Sequence, residues 1–133
     1  MATKIKSSYL GDGLVEITHG PTGKKIITDL PPDNGGKGRE FSPTDLAAAS
    51  ISSCILTIMG VIAKRENADI KGSFIEIEKH MSENPRRIGK FTGVISLPKD
   101  LNAKTKEKIM AAIKACPVTR SLNPEIKIDF KEI

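Results

Sequence analysis

The chain is short of the residues that build most recognisable sites. Its 133 residues include two cysteines, two histidines, no tryptophan, one tyrosine and four phenylalanines. Tyr9, Phe41, Phe74, Phe91 and Phe130 are dispersed, so there is no aromatic platform on which bases would stack. The formal net charge is +5, but the lysines are scattered along the chain rather than gathered on one element, which describes a solvated cationic surface rather than a nucleic-acid footprint. His19 and His80 are separated by strands and turns and have no ligand spacing with the cysteines, so no metal is expected. Gly35-Gly36-Lys37-Gly38 lacks the following Ser or Thr and the strand-to-helix setting of a phosphate loop, and no cofactor is expected. Met1 to Lys6 lacks the apolar stretch of a secretory signal, giving the expectation of a cytoplasmic protein.

Charge is also missing from one long stretch, Leu46 to Ala63. That length is at the lower edge of a membrane span, about 17–25 residues. Its content points elsewhere: Ala47, Ala48, Ala49, Ser50, Ser52, Ser53 and Gly60 make it small and weakly hydrophobic, suited to close contacts in a buried central helix. With 38% hydrophobic and 28% charged residues the whole chain, 1–133, reads as one soluble globular domain with no membrane association.

The elements follow from local chemistry. Ile5, Ser7 and Tyr9 alternate with polar residues up to Gly11-Asp12-Gly13, a hairpin turn, and Leu14 to Thr18 continues as the second strand. A third strand covers about Lys25 to Leu30, before the loop Pro31 to Gly38. Ser42-Pro43-Thr44-Asp45 starts a helix, with Ser42 as N-cap, Pro43 at the first position and Asp45 closing a capping box. The helix should run to about Glu66. Strands around Ile75–Glu78 and Phe91–Leu97 follow, joined through Ser82-Glu83-Asn84-Pro85, then a helix from Ala103 to Ala115 that Pro117 ends. Ile126 to Phe130 is the last strand. The order βββ-α-ββ-α-β defines an α+β fold with a mostly antiparallel sheet.

The two cysteines carry the chemistry. Cys54 lies inside the uncharged helix, and Cys116 shares the apolar face of the second helix with Ile109 and Ile113. In a reducing compartment such a pair is more often redox-active than a permanent bridge. A fixed bridge, stabilising by roughly 4 kcal/mol, and two unreactive core thiols are the alternatives. A thiol must ionise to act, so Cys54 needs a cation or hydrogen-bond donors. Ser50 and Thr57 share its helix face, while Arg39 and Arg120 are the nearest cations in sequence. Cys116, at a helix C-terminus, is in a field that disfavours thiolate.

Phe41-Ser42-Pro43-Thr44-Asp45-Leu46-Ala47-Ala48-Ala49-Ser50-Ile51-Ser52-Ser53-Cys54, taken with Ala115-Cys116-Pro117-Val118, resembles the OsmC/Ohr family of thiol peroxidases, and the element order matches over nearly the whole chain. The resemblance implies that Cys54 is the peroxidatic cysteine, attacking an organic hydroperoxide, and that Cys116 resolves the sulfenic acid as a Cys54–Cys116 disulfide. It implies peroxiredoxin-type activity in oxidative-stress defence, a lipoyl-type or thioredoxin-type dithiol reductant, and an intertwined homodimer with the sheets wrapped around central helices. Two positions depart from the peroxidase branches and suggest the divergent OsmC-like branch. Thr44 stands where they place an acid, and Lys6 to Glu16 lacks their hairpin arginine. Arg39, or an arginine of a second subunit, is the candidate to stabilise the thiolate instead. The alternative function is a non-catalytic dimer that senses redox state or binds a small apolar ligand.

Overall fold

Two successive residues with positive φ, Asp12 at 56° and Gly13 at 84°, form the two-residue hairpin loop that a right-twisted antiparallel pair requires. They join β1 (Ile5–Gly11) to β2 (Leu14–His19), and β3 (Lys25–Thr28) pairs with the other side of β2. A computed structural model describes all residues, Met1–Ile133, which form two compact units, Met1–Leu46 and Ala47–Ile133.

The first unit is this antiparallel sheet, β1-β2-β3, and the loop that follows it. Pro32–Asn34 makes one 3-10 turn, and backbone bonds from Gly36 to Pro31 and from Gly38 to Leu30 fold the loop on itself. The start of α1 (Pro43–Arg65) closes the unit. The expected capping box is present: the Asp45 N–H donates to Ser42 Oγ at 3.0 Å, and the Ser42 N–H donates to an Asp45 carboxylate oxygen at 2.9 Å.

The second unit contains the hydrophobic core. Along α1 the buried side chains are Ala48, Ile51, Ile55, Met59 and Ala63, a single stripe at helical spacing. They cluster with Phe91, Ile95, Leu97, Ile109, Ala112 and Cys116. The helix is long and apolar enough to cross a bilayer by length and composition, and one of its faces carries this packed stripe. β4 (Phe74–Ser82) and β5 (Arg87–Ser96) form an antiparallel pair with Ile75, Ile77 and Phe91 on the core-facing side. β6 (Lys127–Glu132) runs parallel to β5, so the chain between them crosses over, carrying its helices with it.

That crossover differs from the single helix expected. It is broken into α2 (Ala103–Met110), α3 (Ala112–Ala115) and α4 (Pro117–Arg120). The break changes which residues share a face. Ile109, Ala112 and Cys116 are fully buried, whereas Ile113, expected on that face, is only half-buried.

Candidate functional site

The two cysteines meet. Both are free thiols, and they share a hydrogen bond in which Cys54 faces Cys116 across the space between α1 and the α3–α4 junction. The burial of Cys116 fits its place on an apolar helix face, whereas Cys54 is more exposed than its apolar surroundings imply. Cys116 is fully enclosed, while Cys54 is only partly so, because it sits on the flank of the α1 stripe between Ile51 and Ile55 rather than within it. Within the single chain Cys54 is the more exposed of the two sulfurs.

The local field at Cys116 also differs from the expected helix C-terminus. Cys116 ends α3 and at the same time precedes the first residue of α4, with extended backbone at φ −68° and ψ 118°. Pro117 thus has two roles: it stops one helix and supplies the pre-set first position of the next. Burial alone raises the pKa of the Cys116 thiol. The bond from Cys54 and the backbone N–H groups of Thr119 and Val118 outweigh it, and the net shift is downward. The Thr119 hydroxyl, which donates to the Cys116 carbonyl at 3.0 Å, completes this polar surround.

Cys54 moves the other way. Its hydrogen bond to Cys116 raises its pKa most, burial adds to the rise, and the Val118 N–H opposes it weakly. The pair titrates as one coupled site, in which ionisation is favoured at Cys116 over Cys54. None of the groups acting on Cys54 is a cation.

The other sequence candidates are engaged elsewhere. Ser50 Oγ donates to the Ala47 carbonyl at 2.7 Å and Thr57 Oγ1 to the Ser53 carbonyl at 2.8 Å, so both hydroxyls turn back onto their own helix. Arg120 Nε donates to the Lys114 carbonyl. Arg39 lies in the first unit, where its Nε reaches Asp29 Oδ2 at 2.7 Å and its terminal nitrogens reach Asp29, the Asp12 carboxylate and the Asp12 carbonyl. Asp29 is almost fully buried, and the Arg39 side-chain and backbone donors hold its carboxyl far below the usual carboxylate range. Its charge is matched by two carboxylates within its own unit. His19 bonds to Thr22 and His80 to Thr92, each a hydroxyl partner on a nearby strand or turn.

The two donors that sequence reasoning missed are the Val118 and Thr119 N–H groups. The signal was present in Cys116-Pro117-Val118-Thr119, since a proline that ends one helix is also well suited to begin another. A further cleft of about 370 Å³ lies over β4, β5 and β6, lined by Glu76, Glu78, Thr92, Asp129 and Lys131, and it includes neither cysteine.

Residues 36–131 match the family model for OsmC-like protein, and the chain belongs to that family. No curated protein sequence matches it. It is 38% identical to a Psychrobacter arcticus protein assigned to osmotic stress induction and detoxification response, over 100% of this chain and 97% of that one, with a TM-score of 0.93. The organic hydroperoxide resistance protein OhrB of Bacillus subtilis shares the fold at 23% identity and TM-score 0.71, covering 100% and 98%. An OsmC-like protein of unknown function from Vibrio cholerae does so at 12% identity and TM-score 0.85, covering 100% and 99%. The fold class, α+β with antiparallel and mixed sheets, is that of these neighbours.

Proposed function

We propose that this protein is a cysteine-based peroxidase that reduces organic hydroperoxides in the cytoplasm. The observation that carries the reading is the direct hydrogen bond between an accessible Cys54 and an enclosed Cys116. In the first step the Cys54 sulfur attacks the peroxide O–O bond, giving Cys54 sulfenic acid and releasing the alcohol. The Cys116 sulfur then attacks the sulfenic sulfur, forming the Cys54–Cys116 disulfide and expelling water. A lipoyl-type or thioredoxin-type dithiol reduces that bridge by thiol–disulfide exchange. Hydroperoxide resistance neighbours within the same fold support this assignment of substrate class.

The working unit on this reading is a homodimer, and three features support it. Less than a third of the most apolar part of α1, 28%, is buried within the chain, and the remaining face is uncharged from Leu46 to Ala63. Gly60, in the middle of this helix, costs about 1 kcal/mol relative to alanine. Nothing in the chain lies within 4 Å of where its Cβ would be, so the cost is useful only if another helix approaches there. In the first unit Ile5, Tyr9, Ile26 and Phe41 are more than half exposed, an apolar surface of the kind a second copy covers. Sedimentation should give twice the chain mass, and a monomer at micromolar concentration would remove this part of the reading.

The peroxidase assignment is tested by mixing reduced protein with cumene or tert-butyl hydroperoxide. Two thiols should disappear per chain with one intramolecular disulfide formed, and Cys54→Ser should abolish dithiol-driven turnover. Consumption no faster than that by a free thiol would overturn the assignment. The absence of a cation among the groups acting on Cys54 favours one second reading, a slow redox sensor, marked by disulfide formation without sustained turnover.

A further inference from the structure

The two cysteines lie in segments of different charge. The stretch of α1 around Cys54, from Leu46 to Ala63, carries none. The crossover segment around Cys116, from Ala103 to Arg120, has Lys104, Lys106, Lys108, Lys114 and Arg120 against Glu107 alone. Lysines occur throughout the chain, and what matters here is the shortage of acids to match them. Two of the five are paired within the chain: Lys106 Nζ lies 3.0 Å from Glu132 Oε2, and Lys108 Nζ lies 2.9 Å from Glu66 Oε1. Lys114 and Arg120, which flank Cys116, are exposed and have no carboxylate partner.

These two cations are fixed next to each other. Arg120 Nε donates to the Lys114 carbonyl at 3.2 Å, and the Arg120 N–H donates to the Cys116 carbonyl at 3.1 Å. The segment from Lys114 to Arg120 is thus folded into one turn with Cys116 at its middle. Ala115 and Pro117, on either side of that cysteine, are exposed too, so a small apolar step lies between the charges. We propose that this turn is the docking face for an acidic protein whose dithiol reduces the Cys54–Cys116 bridge. The proposal rests on the peroxidase reading, whose cycle ends in that reduction, and it names the chemistry of the partner. A pair of unmatched charges at the rim of a site raises the rate at which an oppositely charged partner arrives. The face is one turn wide and adjoins the two sulfurs, which suits a protein loop bearing a dithiol better than an extended anionic lipid surface.

The exchange balances. One thiolate of the docked partner attacks the Cys54 sulfur, the more exposed of the two, and the Cys54–Cys116 bond breaks with Cys116 leaving as thiolate. The partner's second thiolate then attacks its own sulfur in the mixed disulfide and expels Cys54. The partner ends as a disulfide, oxidised by two electrons. Cys54 and Cys116 end reduced and take up the two protons that the dithiol gave up.

The test uses the full chain with its bridge formed by diamide, so that no hydroperoxide is needed. Two synthetic peptides carry the same dihydrolipoyl-lysine, one flanked by glutamates and one by glutamines, and the rate of bridge reduction is followed for each. In the natural chain at low salt the glutamate peptide should react about tenfold faster. That advantage should vanish near 1 M salt, where charges are screened within about 3 Å, a reading that needs no variant. The double variant Lys114→Glu with Arg120→Glu should lose the advantage while keeping the glutamine-peptide rate, which also shows that it folds. Lys24→Glu with Lys25→Glu, an equal change of net charge in the first unit, should keep it. Equal rates for the two peptides, or equal loss in both double variants, would overturn the proposal. So would cosedimentation with phosphatidylglycerol vesicles that the first double variant abolishes, which would give the turn to a membrane. Equal peptide rates in a chain that still consumes tert-butyl hydroperoxide remove the docking face and leave the peroxidase. A salt-sensitive preference for the glutamate peptide in a chain that consumes none removes the peroxidase and leaves the docking face. A chain in which diamide forms no bridge loses both.

Discussion

In Met1–Leu46 the side chains withdrawn from solvent are Thr28, Asp29 and Ser42, all of them polar. In Ala47–Ile133 they are Ala48, Ile51, Ile55, Met59, Ala63, Phe91, Ile95, Leu97, Ile109, Ala112 and Cys116, with Thr105 the one polar member. One part of the molecule is thus held by a hydrophobic core and the other by directed bonds. Burial is non-directional and supplies most of the stabilising free energy, whereas hydrogen bonds and ion pairs fix geometry at modest net gain. The first unit therefore has a precise loop arrangement, Asp29 bound to Arg39 and to the Leu30 N–H, but little driving force of its own. Its large apolar residues face outward, with Tyr9 72% exposed and Phe41 57%. The dithiol is in the unit with the core, where packing holds two sulfurs in register.

The largest expected effect comes from emptying that core. Phe91 is fully buried at the middle of β5, with Lys79 of β4 and Ile128 of β6 as its cross-strand partners. Phe91→Ala should lower the unfolding free energy by about 3–5 kcal/mol, read from the midpoint of a urea transition at unchanged slope. Amides of β4, β5 and β6 should lose protection from hydrogen exchange first. Should those of β1 to β3 be lost first instead, the division into a packed unit and a hydrogen-bonded unit would fail.

The ionic side of the comparison is sharpened by pH. Arg39 holds the folded pKa of Asp29 below its unfolded value, so the native state favours the carboxylate. The stabilisation is complete above the ordinary carboxylate pKa, about 3.9, and is lost as the pH falls from there towards the depressed folded value. Acidification from neutral pH to about pH 4 should leave the Asp29–Arg39 bonds intact, with β1–β3 loosening only below that. Asp29→Asn should lower the melting temperature at neutral pH and flatten the dependence of stability on pH below about 4. An acid response identical to that of the natural chain would assign the acid sensitivity to other carboxylates.

The same contrast explains what the sequence revealed. Strand β1, its turn at Asp12-Gly13, and the α1 start at Ser42 are local features, written in residues within four positions of each other, and they are legible. The break at Ala111 is not, because Met110-Ala111-Ala112 contains neither glycine nor proline and the interruption arises in the packed crossover. Cys54 is more exposed than its sequence context implies for a related reason. The uncharged run identified a buried helix but not which side of it faces the core, and Cys54 is at the edge of the stripe. That the cysteines approach each other came from family resemblance, since a contact between α1 and α4 spans most of the unit. Arg39 was legible as a charge, while its partners, Asp29 ten residues earlier and Asp12 before that, depend on how the loop folds.

The smallest effect concerns the boundary between directed bonds and packing, at the start of α1. Ser42 is almost fully buried, and its hydroxyl accepts the Asp45 N–H while Asp45 accepts the Ser42 N–H. Ser42→Ala removes one half of this reciprocal pair and leaves an early helical N–H without its partner, at a cost of about 1 kcal/mol. Ser42→Gly, which lacks the hydroxyl but allows the backbone to be solvated, should cost less, a few tenths of a kcal/mol. Ser42→Asp restores an acceptor but places a second carboxylate against Asp45, and should fall below the natural chain despite being a good cap in isolation. The order Ser, Gly, Ala in thermal stability would show that the hydroxyl acts as a cap, whereas equal loss in Gly and Ala would mean that its buried position matters through packing alone.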